Sequence, residues 1–197
     1  MNRIERAFKN LGTTLSLRNW EPLHWIGTLG SCAARFLPHP PNFTPVGAMS
    51  IYAGARIKGW NAYLVPILTM LISDRVLAWI HGFDWFHNTL PVVYASLLLN
   101  VFLGKTYLSD NSSKLRVVSV SFVGSIQFFL TTNFAVWALS SMYPYTSEGL
   151  ITCYVAAIPF FQWTLVGDLV YASILFGIFD TLEIRLARYY SQPVSWF

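Results

Sequence analysis

The chain of 197 residues is 54% hydrophobic, 17% aromatic and 11% charged, with a net charge of +4. Soluble domains carry about 25% charged residues. This balance therefore excludes a disordered chain, a coiled coil and a nucleic-acid-binding arm, and argues against an ordinary cytosolic enzyme. What remains is an all-α polytopic membrane protein of one transmembrane domain, residues 21–190, flanked by a basic segment at 1–20 and a tail at 191–197.

At the start, Ile4, Ala7, Phe8 and Leu11 repeat at helical spacing among Arg3, Arg6, Lys9 and Asn10. That pattern predicts a short basic amphipathic helix on an anionic membrane face. Residues 23–37 give a weakly apolar first span. Residues 38–45 hold Pro38, Pro40, Pro41 and Pro45, which forbid a helix there. A small-residue helix follows at 44–57, then spans at 60–80, 89–104 and 117–139, the last without a charge. Residues 149–179 hold one charge, Asp168. As one helix they reach about 46 Å, beyond a hydrocarbon core of about 30 Å. Pro159 offers a break, so the expectation is a short interfacial or re-entrant helix at 148–160 and a sixth span at 162–186.

Basic residues orient this threading. Arg3, Arg6, Lys9, Arg18, Arg56, Lys58, Lys105, Lys114, Arg116, Arg185 and Arg188 all fall on one side, and the loops 38–43, 81–88 and 140–147 hold no Lys or Arg. The positive-inside rule then gives six spans in the cell (inner) membrane with both termini cytoplasmic. Trp20, Trp25 and Trp60 at the inner ends and Trp79, Trp85, Trp137 and Trp163 at the outer ends suit two aromatic belts.

Four charges remain at membrane depth: Arg35, Asp74, Arg75 and Asp168. All map to the outer third in this threading. An isolated charge at the bilayer centre costs at least about 3 kcal/mol, so the four pair among themselves, line an outward-facing polar site, or both. His39, Asn42, Asn133, Trp137 and Tyr171 converge on the same level. Gln127 and Thr131 lie deeper, spaced to bond across helices. Gly47, Ser50, Gly54 and Ala55 make a small-residue face on the second helix that admits a close partner, either internal or another subunit. Cys32 and Cys153 sit in apolar stretches and read as small buried hydrophobes. His81, Asp84 and His87 fit no defined metal spacing, so no metal and no cofactor are expected. There is no Walker A loop, G-x-S-x-G or H-E-x-x-H, and no nucleophile–base pair marks an enzyme.

Further motifs are Arg35–Asn42 (RFLPHPPN) with Phe43-Thr44-Pro45-Val46-Gly47-Ala48, then Ser73-Asp74, and Thr132-Asn133-Phe134-Ala135-x-Trp137. The run Tyr143-Pro144 to Gly149-Leu150 follows, then Cys153-Tyr154-x-Ala156-Ala157-x-Pro159-Phe160-Phe161 and Thr164-Leu165-x-Gly167-Asp168-Leu169-x-Tyr171. Over about residues 30–178 these resemble an uncharacterised family of small bacterial membrane proteins, a domain of unknown function. That family is similar to the substrate-binding S components of energy-coupling factor transporters. The resemblance implies six helices, an outward-facing pocket for a small solute, and a partner ATPase for transport. It places recurring polar residues at Arg35, His39, Asn42, Asp74, Asn133, Trp137 and Asp168. The chain departs from the pattern at Thr28, Ser31 and Cys32 in the first helix and in its basic N-terminus. These departures point to docking on another membrane assembly, so an accessory subunit of a larger complex is the alternative expectation.

Overall fold

The computed structural model describes residues 22–181, and side chains from residue 26 onward. The expected amphipathic helix at 1–20, the tail at 191–197, and Arg185 and Arg188 lie outside the described residues. Those residues are all-helical: α1 (Pro22–Ala34), α2 (Val46–Arg56), α3 (Asn61–His81), α4 (Leu90–Tyr107), α5 (Lys114–Leu139) and α6 (Ser147–Ile174), which passes into a π-helical turn at Leu175–Phe179.

Four of these helices are long and apolar enough to cross a membrane: α3, α4, α5 and the continuous stretch Ser147–Phe179. Their outward faces carry exposed apolar side chains such as Leu115, Phe122, Leu130, Val155 and Val166, compatible with a membrane protein. α1 and α2 hold 13 and 11 residues, or about 20 and 17 Å.

The expected break at Pro159 does not occur, because Pro159 lies inside α6. A proline removes one N–H from the helical ladder, and an apolar helix braced by neighbours tolerates that loss. There is thus no separate helix over 148–160. Trp163 consequently stands about 24 Å along α6 from Ser147 rather than at a helix end.

The fold is organised around its shortest described helix. Ala48, Met49, Ser50, Ile51, Tyr52, Ala53 and Gly54 are all buried, so α2 shows no free face over two turns. Its neighbours Val65, Val101, Val117, Ala172 and Leu175 complete the core. The closest packing is against α4, where a Cβ at Gly54 would lie 1.9 Å from the Val101 carbonyl oxygen, and one at Gly104 1.9 Å from that of Ile51. The small face Gly54–Ala55 therefore packs within the chain.

One end of the bundle is tied shut. Arg56 donates through Nε and Nη2 to the two carboxylate oxygens of Asp180 at 2.9 and 2.5 Å, and also to Ser112 Oγ and the Leu108 carbonyl. Its guanidinium lies over the Phe176 ring. Lys58, Lys105, Lys114 and Arg116 surround this end. At the other end lie the loops 35–45, 82–89 and 140–146. There Gly82 takes φ +71 to end α3, and Asn88 Nδ2 donates to the Leu139 carbonyl.

Candidate functional site

At the looped end, a cavity of about 500 Å³ opens between α3, α4, α5 and α6 and reaches down to the start of α2. Six of the sequence-derived site residues line it: Arg35, His39, Asn42, Asp74, Asn133 and Asp168.

The upper wall is an ion pair. Arg35 leaves the end of α1 and donates through Nη1 to Asp74 Oδ1 of α3 at 2.7 Å. The same nitrogen contacts Ser73 Oγ, and the Met70 sulfur at 3.2 Å. Asp74 Oδ2 is buried with no protein partner. Asp74 lies seven residues, about 10 Å, below the end of α3.

The floor is built differently. Asp168 of α6 is 3% exposed. Its Oδ2 accepts from Ser125 Oγ of α5 at 2.7 Å, and the carboxylate also accepts from the Ala48 backbone N–H. Pro45, at the N-cap of α2, supplies no side-chain cap. A carboxylate from another helix thus satisfies an open amide in the first turn of α2 and meets the positive end of its dipole. Gly47 leaves the necessary room, since a Cβ there would stand 2.3 Å from Asp168 Oδ1. Ser125 lies 14 residues, about 21 Å, below the end of α5. Asp168 is therefore near mid-depth, and the four charges do not form one outer layer.

A polar ladder between α4 and α5 makes a third wall. Ser96 and Thr131 hydroxyls lie 2.6 Å apart. Gln127 Nε2 donates to the Ser96 carbonyl at 2.9 Å and to Asn100 Oδ1 at 2.8 Å. Gln127 and Thr131 do bond across helices. Asn100, fully buried, lines the cavity with Nδ2 unpartnered. Phe128, Phe129, Phe160 and Phe161 supply apolar faces, the rings of Phe129 and Phe161 standing 4.7 Å apart. Asn133 Nδ2 is used by its own helix, donating to the Phe129 carbonyl.

Three expected site residues lie elsewhere. Arg75 is exposed, 4.1 Å over the Trp85 ring. It neighbours Asp74 on the helix, and consecutive helical positions point about 100° apart. Trp137 donates from Nε1 to the Pro144 carbonyl at 2.9 Å and so ties the α5–α6 loop. Tyr171 packs on Phe43 at 5.5 Å. Conversely, Thr44 lines the cavity, as does His87, which the sequence singles out only as a metal-ligand candidate and not for this site. Among the described residues no group of three or more His, Cys, Asp or Glu is placed to hold a metal. Cys32 and Cys153 are free and buried, donating to the Thr69 and Asn133 carbonyls.

At the mouth, the proline-rich loop turns through Asn42 at φ +67. Asparagine and glycine accept this left-handed region, while a β-branched residue is strained there by about 1–2 kcal/mol. Asn42→Gly is expected to leave the unfolding midpoint in detergent almost unchanged and Asn42→Ile to lower it. Equal midpoints would show that the turn relaxes.

No curated protein and no solved structure matches the chain. Residues 18–191 match the model of a family of unknown function, DUF6580. The match spans most of the sequence and takes in every helix that frames the cavity, so the chain belongs to the DUF6580 family.

Proposed function

We propose that this is an integral membrane protein that binds a small solute in the cavity, reached from the end formed by the 35–45 and 82–89 loops. One observation carries this reading. A space of about 500 Å³ is kept open between well-packed helices, and two residues that line it, Asn100 and Asp74, keep a buried Nδ2 and a buried Oδ2 without a partner. Protein interiors otherwise close to crystal-like density, and buried polar groups otherwise find partners. The volume suits a small ligand.

In this reading α1 and α2 join the four long helices as six spans, with tilt or local thinning accommodating their lengths. The basic end around Arg56 faces the cytoplasm of the cell (inner) membrane by the positive-inside rule, and the cavity faces out. The resemblance to S components supports a binding subunit whose transport depends on partner ATPase and coupling subunits. The protein itself is not an enzyme.

A second reading, an accessory subunit of a larger membrane complex, draws on α1. Ile26 and Leu29 are exposed on a helix of 13 residues. An apolar face on so short a helix suits a neighbouring subunit. Purification in mild detergent, with mass spectrometry of both proteins and extracted small molecules, separates the two. Solute binding predicts one small molecule in near-stoichiometric amount, with or without an ATPase. A stable non-transport complex with an empty small-molecule extract would sink it and favour the accessory role.

A further inference from the structure

We infer that the cavity selects a cation: a small, flat molecule bearing an amidinium, an ammonium or a protonated ring nitrogen, together with a hydrogen-bond acceptor. This rests on the solute-binding reading and names the charge class of the ligand. The charge balance on the wall comes first. Two carboxylates, Asp74 and Asp168, line the cavity with one guanidinium, Arg35, two imidazoles, His39 and His87 at the mouth, and no lysine. Arg35 is already matched, because its Nη1 donates to Asp74 Oδ1 at 2.7 Å. Arg75, the neighbour of Asp74 in sequence, is held outside the cavity over Trp85. Asp168 is held by the Ser125 hydroxyl and the start of α2, so Asp74 is the carboxylate with an oxygen left over. The unpartnered oxygen of Asp74 would repel an entering anion and attract a cation.

The hydrogen-bonding atoms agree with the charges. Asp74 Oδ2 is a buried acceptor without a donor, and a charged N–H is the donor that bonds a carboxylate most strongly. Asn100, buried behind the wall, keeps Nδ2 as a donor without an acceptor, and a turn of its amide toward the cavity would bring that donor to a carbonyl or ring nitrogen on the same ligand. Between them, Phe128, Phe129, Phe160 and Phe161 offer ring surfaces. Aromatic faces attract cations through their quadrupole and stack on flat bodies.

Benzamidine, benzamide and benzoate test this directly. They share one shape and carry charges of +1, 0 and −1. Their dissociation constants are measured on the full-length protein in detergent by saturation-transfer NMR. Benzamidine is expected to bind about tenfold more tightly than benzamide, the gain of a charged over a neutral donor, with benzoate weakest. Asp74→Asn should reduce that preference to about twofold or less, and Asp84→Asn, in an exposed loop outside the cavity, should keep it. Benzamide or benzoate as the tightest binder overturns the charge assignment and leaves the solute-binding reading standing. Absence of binding by all three to folded protein overturns both. An undiminished preference in Asp74→Asn overturns the role of Asp74, and if that variant does not fold, the wild-type series alone decides.

Discussion

Gly54→Val is expected to disrupt the bundle severely, and Gly104→Val equally so. Both glycines stand where α2 and α4 touch backbone to backbone. A Cβ at either position would fall 1.9 Å from a carbonyl oxygen of the facing helix, far inside contact distance. No rotamer change relieves this, because the obstacle is main chain rather than the tip of a flexible side chain. The helices must separate, and α2 is buried on every side, so separation also loosens its contacts with Val65, Val117 and Ala172. Overpacking a core costs about 1–3 kcal/mol and occasionally more, and backbone against backbone belongs at the upper end. Alanine at either position already supplies the offending Cβ and should also destabilise. Gly30 and Gly177 serve as controls, since a Cβ there meets nothing within 4 Å. Changing Gly30 to alanine should be neutral or stabilising by up to about 1 kcal/mol through helix propensity. Unfolding midpoints of the detergent-solubilised variants give the ranking. Gly54→Ala and Gly30→Ala behaving alike would refute the close approach.

The four long helices were legible because long apolar runs leave few alternatives in lipid, where only helices or closed barrels satisfy the backbone. The small-residue helix was legible too, although the spacing of Gly54 did not say that Val101 would face it. The misreading at Pro159 came from a rule suited to soluble helices. Length also misled, since a 33-residue candidate span exceeds the bilayer core without needing to break. A helix is free to project beyond the membrane, and nothing in the composition of 149–179 separates projection from re-entry.

The site was legible where polar residues stood alone in apolar helices. Arg35, Asp74 and Asn133 were conspicuous for that reason, and each lines the cavity. Depth along a helix was estimated well enough for Asp74, but rotation around it was not, so Arg75 was grouped with a neighbour that faces another way. Asp168 was misplaced in depth through the assumed break at Pro159. Asn100 is inconspicuous in sequence because one amide near the middle of α4 looks like an ordinary interhelical partner, and its Oδ1 does accept from Gln127. His87 stands out in sequence only beside His81 and Asp84 as a metal-ligand candidate, and no local pattern encodes the fold of that aromatic loop over the cavity. The start of α2 carries a further signal. Val46-Gly47-Ala48 begins a helix behind a proline, with no Ser, Thr, Asp or Asn at the cap. Such a start needs an acceptor from elsewhere in the chain.

Asp168 provides that acceptor, and its replacement is the second change expected to have a large effect. Asp168→Ala removes the acceptor for Ser125 Oγ and for the Ala48 amide together. Each buried donor left unsatisfied costs about 1–3 kcal/mol, and the interaction with the helix dipole is lost besides. A loss of about 3 kcal/mol is therefore expected from the two donors. Asp168→Asn retains one oxygen at the same reach and should lose much less, which separates hydrogen bonding from charge. Gly47→Ala probes the same contact from the other side, because its new methyl would crowd Asp168 Oδ1, now 2.3 Å from the ideal Cβ position. In an Asp168→Ala background that carboxylate is gone, so the Gly47→Ala penalty should shrink. The two changes then fall short of additivity by about 0.5–3 kcal/mol, the usual coupling of contacting residues. Full additivity in unfolding free energies, or an Asp168→Ala protein as stable as the wild type, would rule out Asp168 as the cap of α2. The floor of the cavity would then need another support.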